Sequence, residues 1–181
     1  RRQAFQSRAV FTRACACSSG RRLGLGPSID RRSRGSGEGT GTHAHGYVTR
    51  HRLLQLAKAN DQSFDLVLTR FALERLLFRL SQSRHAKRFV LKGAMLLVTW
   101  FDEPHRATRD VDLLGFGDAT EDALLSTFRE IMAIEADDGV HFDLKNLRIE
   151  AIREELEYGG SRLRTTAALA GARIPITVDI G

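Results

Sequence analysis

The hydrophobic period changes along this chain, and the change limits the fold more than any other feature. Within Asp65–Leu80, Leu66, Val67, Phe71, Leu73, Leu76, Leu77 and Leu80 recur at spacings of three and four, which predicts an amphipathic helix. In the last third the period falls to two. Leu147–Arg153, Ser161–Leu169 and Arg173–Ile180 alternate apolar and polar residues, with Gly159-Gly160 and Ala170-Gly171 as turns between them. Helices followed by an antiparallel run predict an α+β domain, with helices packed against a mixed sheet.

Between these regions the sequence predicts several shorter elements. Arg50–Ala59 reads as a short helix and Phe89-Val90-Leu91 as a strand ending at Lys92-Gly93. Ala94–Phe101 reads as a buried helix, with Trp100 and Phe101 as core along with Phe71 and Phe78. Asp110–Leu114 reads as a strand closed by Gly115-Phe116-Gly117. Asp118 and Glu121 then pair as a cap for a helix over Thr120–Ile134.

Charge divides the chain in two. Of 28 basic and 22 acidic residues, residues 1–50 hold ten arginines, no lysine, and only Asp30 and Glu38 as acids. The rest carries 18 basic and 20 acidic residues, so the high overall pI says nothing about a partner of the folded body. Residues 1–46 are rich in Arg, Gly and Ser and lack an apolar period, so they are expected to be a disordered extension to a domain at 47–181. Cys15, Cys17, His43 and His45 are soft ligands whose spacing matches no common zinc site. A body without cysteines, and no apolar run long enough for a secretory signal or a membrane span, point to the cytoplasm.

The chemistry lies in three segments. Asp110 and Asp112 are two apart on a predicted strand, so both carboxylates point to one face while Val111 and Leu113 point to the other. Such a pair chelates a hard cation, Mg²⁺ or Mn²⁺, which offsets the repulsion between the acids. Read alone, the pair is more readily two solvated aspartates beside a turn. The second segment is Lys92-Gly93-Ala94, where a strand opens into a helix. Glycine lets backbone approach a phosphate, the helix start offers free N–H groups, and Lys92 adds a point charge. The third is Arg173–Ile180, where Ile174, Ile176, Val178 and Ile180 face the core and Thr177 and Asp179 face away. If this strand neighbours Asp110–Leu114, three carboxylates and a phosphate-cradling turn share one surface. That is the equipment of metal-assisted phosphoryl or nucleotidyl transfer.

Phe89-Val-Leu-Lys-Gly-Ala-Met-Leu-Leu97, Arg106-Ala-Thr-Arg-Asp-Val-Asp-Leu-Leu-Gly-Phe-Gly-Asp118 and Ile176-Thr-Val-Asp-Ile-Gly181 resemble, in this order, the AbiEii/AbiGii-type nucleotidyltransferase toxin family. That family lies within the DNA polymerase β-like nucleotidyltransferase superfamily. The resemblance implies the nucleotidyltransferase fold, with Gly93 in the glycine turn, Asp110 and Asp112 as metal ligands and Asp179 as the third acid. It implies transfer of a nucleotide from a nucleoside triphosphate to an acceptor hydroxyl on RNA, tRNA among the acceptors, and a cognate antitoxin protein as partner. Ala94 departs from the usual Gly-Ser or Gly-Gly turn, which removes a hydroxyl and leaves backbone donors. Relatives continue past the third acid into a helical region, so this chain is expected to hold the front part of the enzyme. A non-catalytic relative serving as an interaction module is the alternative.

Arg106 and Arg109 flank the acidic pair and either contact the triphosphate or neutralise the aspartates; the family pattern favours Arg106 as a nucleotide contact. Arg162 and Arg164 share one strand face, read as a solvated face in preference to an RNA track. His105 and His141 lack partners at catalytic spacing and receive no role.

Overall fold

The computed structural model describes residues 40–95, 108–152 and 159–181. The expected helix over Ala94–Phe101 is helical at Ala94 and Met95, and its remainder lies outside the described residues, as do Cys15, Cys17, Trp100, His105, Arg106 and Arg153.

Among the described residues, three α-helices and six strands follow in order. Helix α1 spans Thr40–Ala59, α2 Phe64–Gln82 and α3 Glu121–Met132. The strands are β1 Phe89–Lys92, β2 Asp110–Gly115, β3 Val140–Phe142, β4 Arg148–Ile152, β5 Gly160–Leu169 and β6 Ala172–Ile180. They form one mixed sheet in the order β1-β2-β6-β5-β3, with β4 also paired to β5. Only the β2–β6 pairing is parallel among those described. Because β6 pairs with β5 along 161–169, β4 at 160–164 and β3 at 167–169 follow one another along the other edge of β5. This is the α+β architecture that the change of period predicts.

The hairpin between β5 and β6 closes through Ala170 and Gly171, both at positive φ (45° and 81°). Two consecutive left-handed residues match the twist of the flanking strands, which pins the register. One sheet face buries Leu91, Val111, Leu113, Leu163, Ala167, Leu169, Ile174, Ile176, Val178 and Ile180. Against it pack Leu73, Leu76, Leu77 and Leu80 of α2 and Leu124, Phe128 and Ile131 of α3 in a single core. The rings of Phe89 and Phe128 lie tilted with centroids 5.4 Å apart. The helices cover one face, so the alternate residues of β2 and β6 stand on the other.

Several expectations need correction. Helix α1 begins at Thr40, ten residues before the expected helix start and inside the segment read as a disordered extension. Its glycines give no helical period, yet Gly46 is buried against Gly139 and Ala170, and that packing outweighs poor propensity. Asp118 and Glu121 do not form the expected capping pair. Thr120 is the N-cap residue of α3, and Asp118 Oδ1 accepts the Thr120 backbone N–H at 2.9 Å. Strand β3 is three residues long, too short to register as a period. Phe78 stands half-buried beneath the Arg75 guanidinium, 4.2 Å from ring centroid to Cζ, and is not a plain core residue.

Among the described residues, three charged side chains are buried. Asp138, just before β3, accepts Arg75 Nε at 2.6 Å and the Arg79 guanidinium at 2.8 and 3.1 Å. Arg79, only 2% exposed, also donates to the carbonyls of Arg75, Ile134 and Val140. Every buried charge here has a partner, so the cluster ties α2 to the segment joining α3 and β3 without leaving a desolvated ion unpaired.

Candidate active site

The site is built on β2 and the strands at its two sides. In β2, Val111 and Leu113 are buried while Asp110 is exposed and Asp112 half-buried, so the alternation places both acids on the face away from the helices. The parallel register pairs Asp110 with Thr177 and Asp112 with Asp179. Residues paired across a ladder share a face, so Asp179 stands beside Asp112 with its side chain on the same surface. Backbone bonds from Gly115 to the Gly181 carbonyl (2.9 Å) and from Gly181 to the Leu113 carbonyl (3.0 Å) continue the ladder and hold the end of β6 in place.

On the other side, the antiparallel register pairs Lys92 with Asp112. The chain then turns at Gly93, whose φ is +71°, before the helical residues Ala94 and Met95. A Cβ at Gly93 would overlap Asp112 Oδ2 and lie 2.8 Å from its Cγ. Glycine is required here twice, for the left-handed backbone and for the carboxylate that rests against it. The Lys92 ammonium reaches towards the end of β6, 3.1 Å from where a Cβ on Gly181 would stand.

Charge is concentrated unevenly. Partial burial raises the pKa of Asp112, and the neighbouring Asp110 and Asp179 raise it further, while Lys92 and Arg162 oppose them. Asp179 has its own counter-ion. Arg162, opposite it in the β5–β6 register, donates Nε to Oδ1 and a terminal NH₂ to Oδ2, each at 2.7 Å. The bidentate fork also raises the pKa of Arg162. Arg164, on the same strand face, pairs with Glu150 at 3.3 Å. Arg162 is therefore not a merely solvated arginine; its sequence signal was its place on the face that also carries Asp179, readable only once β5 and β6 are paired. Arg109 is exposed. His141 is exposed on β3, and His45 Nδ1 lies 3.3 Å from Asp137 Oδ1.

The topology thus brings Asp110, Asp112, Asp179, Lys92 and Gly93 to one place. Among the described residues, no three His, Cys, Asp or Glu side chains are gathered as a closed set of metal ligands, and both Asp179 oxygens are engaged by Arg162. The donors nonetheless suit a hard cation, since they are carboxylate oxygens, and partial burial followed by the neighbouring acids raises the pKa of Asp112 among them.

The model of the family described as nucleotidyl transferase AbiEii toxin, type IV TA system, matches residues 75–181. The match starts within α2 and runs through all six strands, so it includes every acid of the site together with Lys92, Gly93 and Arg162. No curated protein matches the chain. No helix among the described residues is long and apolar enough to cross a membrane. By the extent of that match and the strand positions it covers, the chain belongs to the AbiEii nucleotidyl transferase toxin family of type IV toxin–antitoxin systems.

Proposed function

We propose that this chain transfers a nucleotide from a nucleoside triphosphate to an acceptor hydroxyl on RNA, with tRNA as the acceptor class, and that a cognate antitoxin restrains it in the cytoplasm. Asp110, Asp112 and Asp179 would hold Mg²⁺ or Mn²⁺, which supplies alignment of the reacting oxygens and neutralises charge on the phosphates. The observation that carries this reading is the parallel β2–β6 register, which sets Asp179 directly beside Asp112.

The chain's own residues have separate tasks. The side-chain-free turn at Gly93 lets backbone approach the triphosphate, and the Ala94 backbone replaces the hydroxyl that a serine would offer. Lys92 neutralises charge on the pyrophosphate that leaves as the acceptor oxygen bonds to the α-phosphorus. Arg106 adds a second cationic contact to the phosphates. The hydroxyl proton passes to one of the carboxylates.

The test uses pooled tRNA, Mg²⁺ and each labelled nucleoside triphosphate in turn, with the wild type beside Asp112→Asn. Incorporation that the substitution abolishes is the expected result. Undiminished incorporation by Asp112→Asn would refute the mechanism, and no incorporation by the wild type with any nucleotide would favour a non-catalytic role.

A further inference from the structure

Arg162 and Asp179 make the best-formed ion pair on the sheet face away from the described helices. Both guanidinium–carboxylate bonds measure 2.7 Å, and each uses a different carboxylate oxygen. Planar bidentate pairing is the strongest arrangement these groups have, and a lysine cannot reproduce it. The pair is also partly shielded, with side-chain exposures of 36% and 20%. It is held by register, since Arg162 lies directly across from Asp179 on a strand paired with β6 from Ser161 to Leu169.

This pairing conflicts with the role of Asp179 in the reading above. A divalent cation takes lone pairs from carboxylate oxygens; each oxygen of Asp179 already gives one of its two to an N–H of Arg162, and that fixed positive charge repels a second cation at the same carboxylate. The same guanidinium relieves the repulsion that Asp179 and Asp112 exert on each other in adjacent register. We infer that Arg162 is a positioning residue that acts as a built-in counter-ion for the third acid. It holds Asp179 closed against cations and yields at least one oxygen when a divalent ion binds, so that the two positive charges exchange. The inference rests on the proposed function and adds a control on when the acidic trio becomes available. An ion arriving alone must compete with the guanidinium for the carboxylate. An ion arriving with a triphosphate brings anionic oxygens to which the released Arg162 can turn.

Arg162→Lys separates this from a simple charge effect, because it keeps the positive charge but cannot occupy both oxygens at once. Mn²⁺ alone is titrated into the full chain at fixed ionic strength, with the free ion counted by electron paramagnetic resonance. The wild type, Arg162→Lys and Asp112→Asn are compared, and thermal midpoints are recorded for each. Arg162→Lys should bind Mn²⁺ about tenfold more tightly than the wild type, the equivalent of one charge-assisted hydrogen bond no longer displaced. Asp112→Asn should lose the binding, which identifies the counted ion with this site. If Arg162→Lys binds no more tightly than the wild type while Asp112→Asn still loses the ion, Arg162 is only a structural tie, and the inference falls while the reading of the site stands. If the ion binds equally well to Asp112→Asn, or to none of the three proteins, the site assignment falls and takes the inference with it.

Discussion

Asp112 Oδ2 occupies the space that a Cβ on Gly93 would need. The turn at Gly93 and the Asp112 carboxylate beside it are therefore fitted to each other, and neither can change alone. Gly93→Ala would place a non-glycine residue at φ +71°, which costs about 1–2 kcal/mol through the backbone alone. The added methyl must also displace the Asp112 carboxylate. We expect a lowered thermal midpoint together with loss of nucleotide transfer. Retention of full transfer would show that the fit between Gly93 and Asp112 is dispensable.

Asp112→Asn should behave in the opposite way towards stability. The raised pKa of Asp112 means that the fold disfavours its charge, because of partial burial and then the two neighbouring acids. Asparagine keeps the shape and removes the charge, so the urea midpoint should stay level or rise slightly while nucleotide transfer is lost. A clear fall in the midpoint would mean that Asp112 is chiefly a structural residue.

The sequence made these acids legible because β-alternation requires no long-range information. Val111 and Leu113 alternate with Asp110 and Asp112, and Val178 and Ile180 flank Asp179, so the face of each carboxylate follows from period two alone. The pairing of the strands was not legible in the same way. Nothing local says that β2 and β6 lie parallel and adjacent, or that Arg162 falls opposite Asp179. The buried Arg75, Arg79 and Asp138 were invisible for a related reason. On α2 the two arginines look like the solvated positions of an amphipathic helix, and only the segment after α3, about sixty residues away in sequence, supplies their carboxylate. The first turns of α1 were missed because Gly41 and Gly46 argue against a helix, and their support comes from Gly139 and Ala170.

Contact between Gly46 and Gly139 gives that missed helix a direct test. A Cβ at Gly139 would lie 2.6 Å from Gly46 Cα and 3.0 Å from its nitrogen, and φ there is +73°. Gly171 has nearly the same backbone, φ +81°, but its Cβ would meet nothing within 4 Å. Gly171→Ala therefore measures the backbone term alone. Gly139→Ala should lose at least about 1 kcal/mol more in denaturant unfolding, through overpacking against α1. Equal losses would show that α1 does not dock on the turn before β3.

The last prediction concerns acid. Burial acts to raise the pKa of Asp138, but hydrogen bonds from Arg79, the Val140 backbone N–H and Arg75 outweigh it, and the net shift is downward. A carboxylate with a depressed pKa in the fold contributes stability that is complete above its unfolded value, about 3.9, and is lost as pH falls through the lower folded value. Stability should therefore drop steeply below about pH 4. Asp138→Asn keeps the side-chain volume but leaves two shielded guanidinium groups without a counter-charge, a change that costs about 3–5 kcal/mol at neutral pH. Having no carboxylate at this position, the variant should also show a flatter acid limb, while the exposed Asp118, Glu130 and Asp143, whose pKa values are also lowered, keep their contributions. Urea midpoints measured from neutral pH down through the carboxylate range on both proteins give the comparison. Parallel acid limbs would show that Asp138 is not the group whose protonation loosens the junction between α2 and the segment before β3.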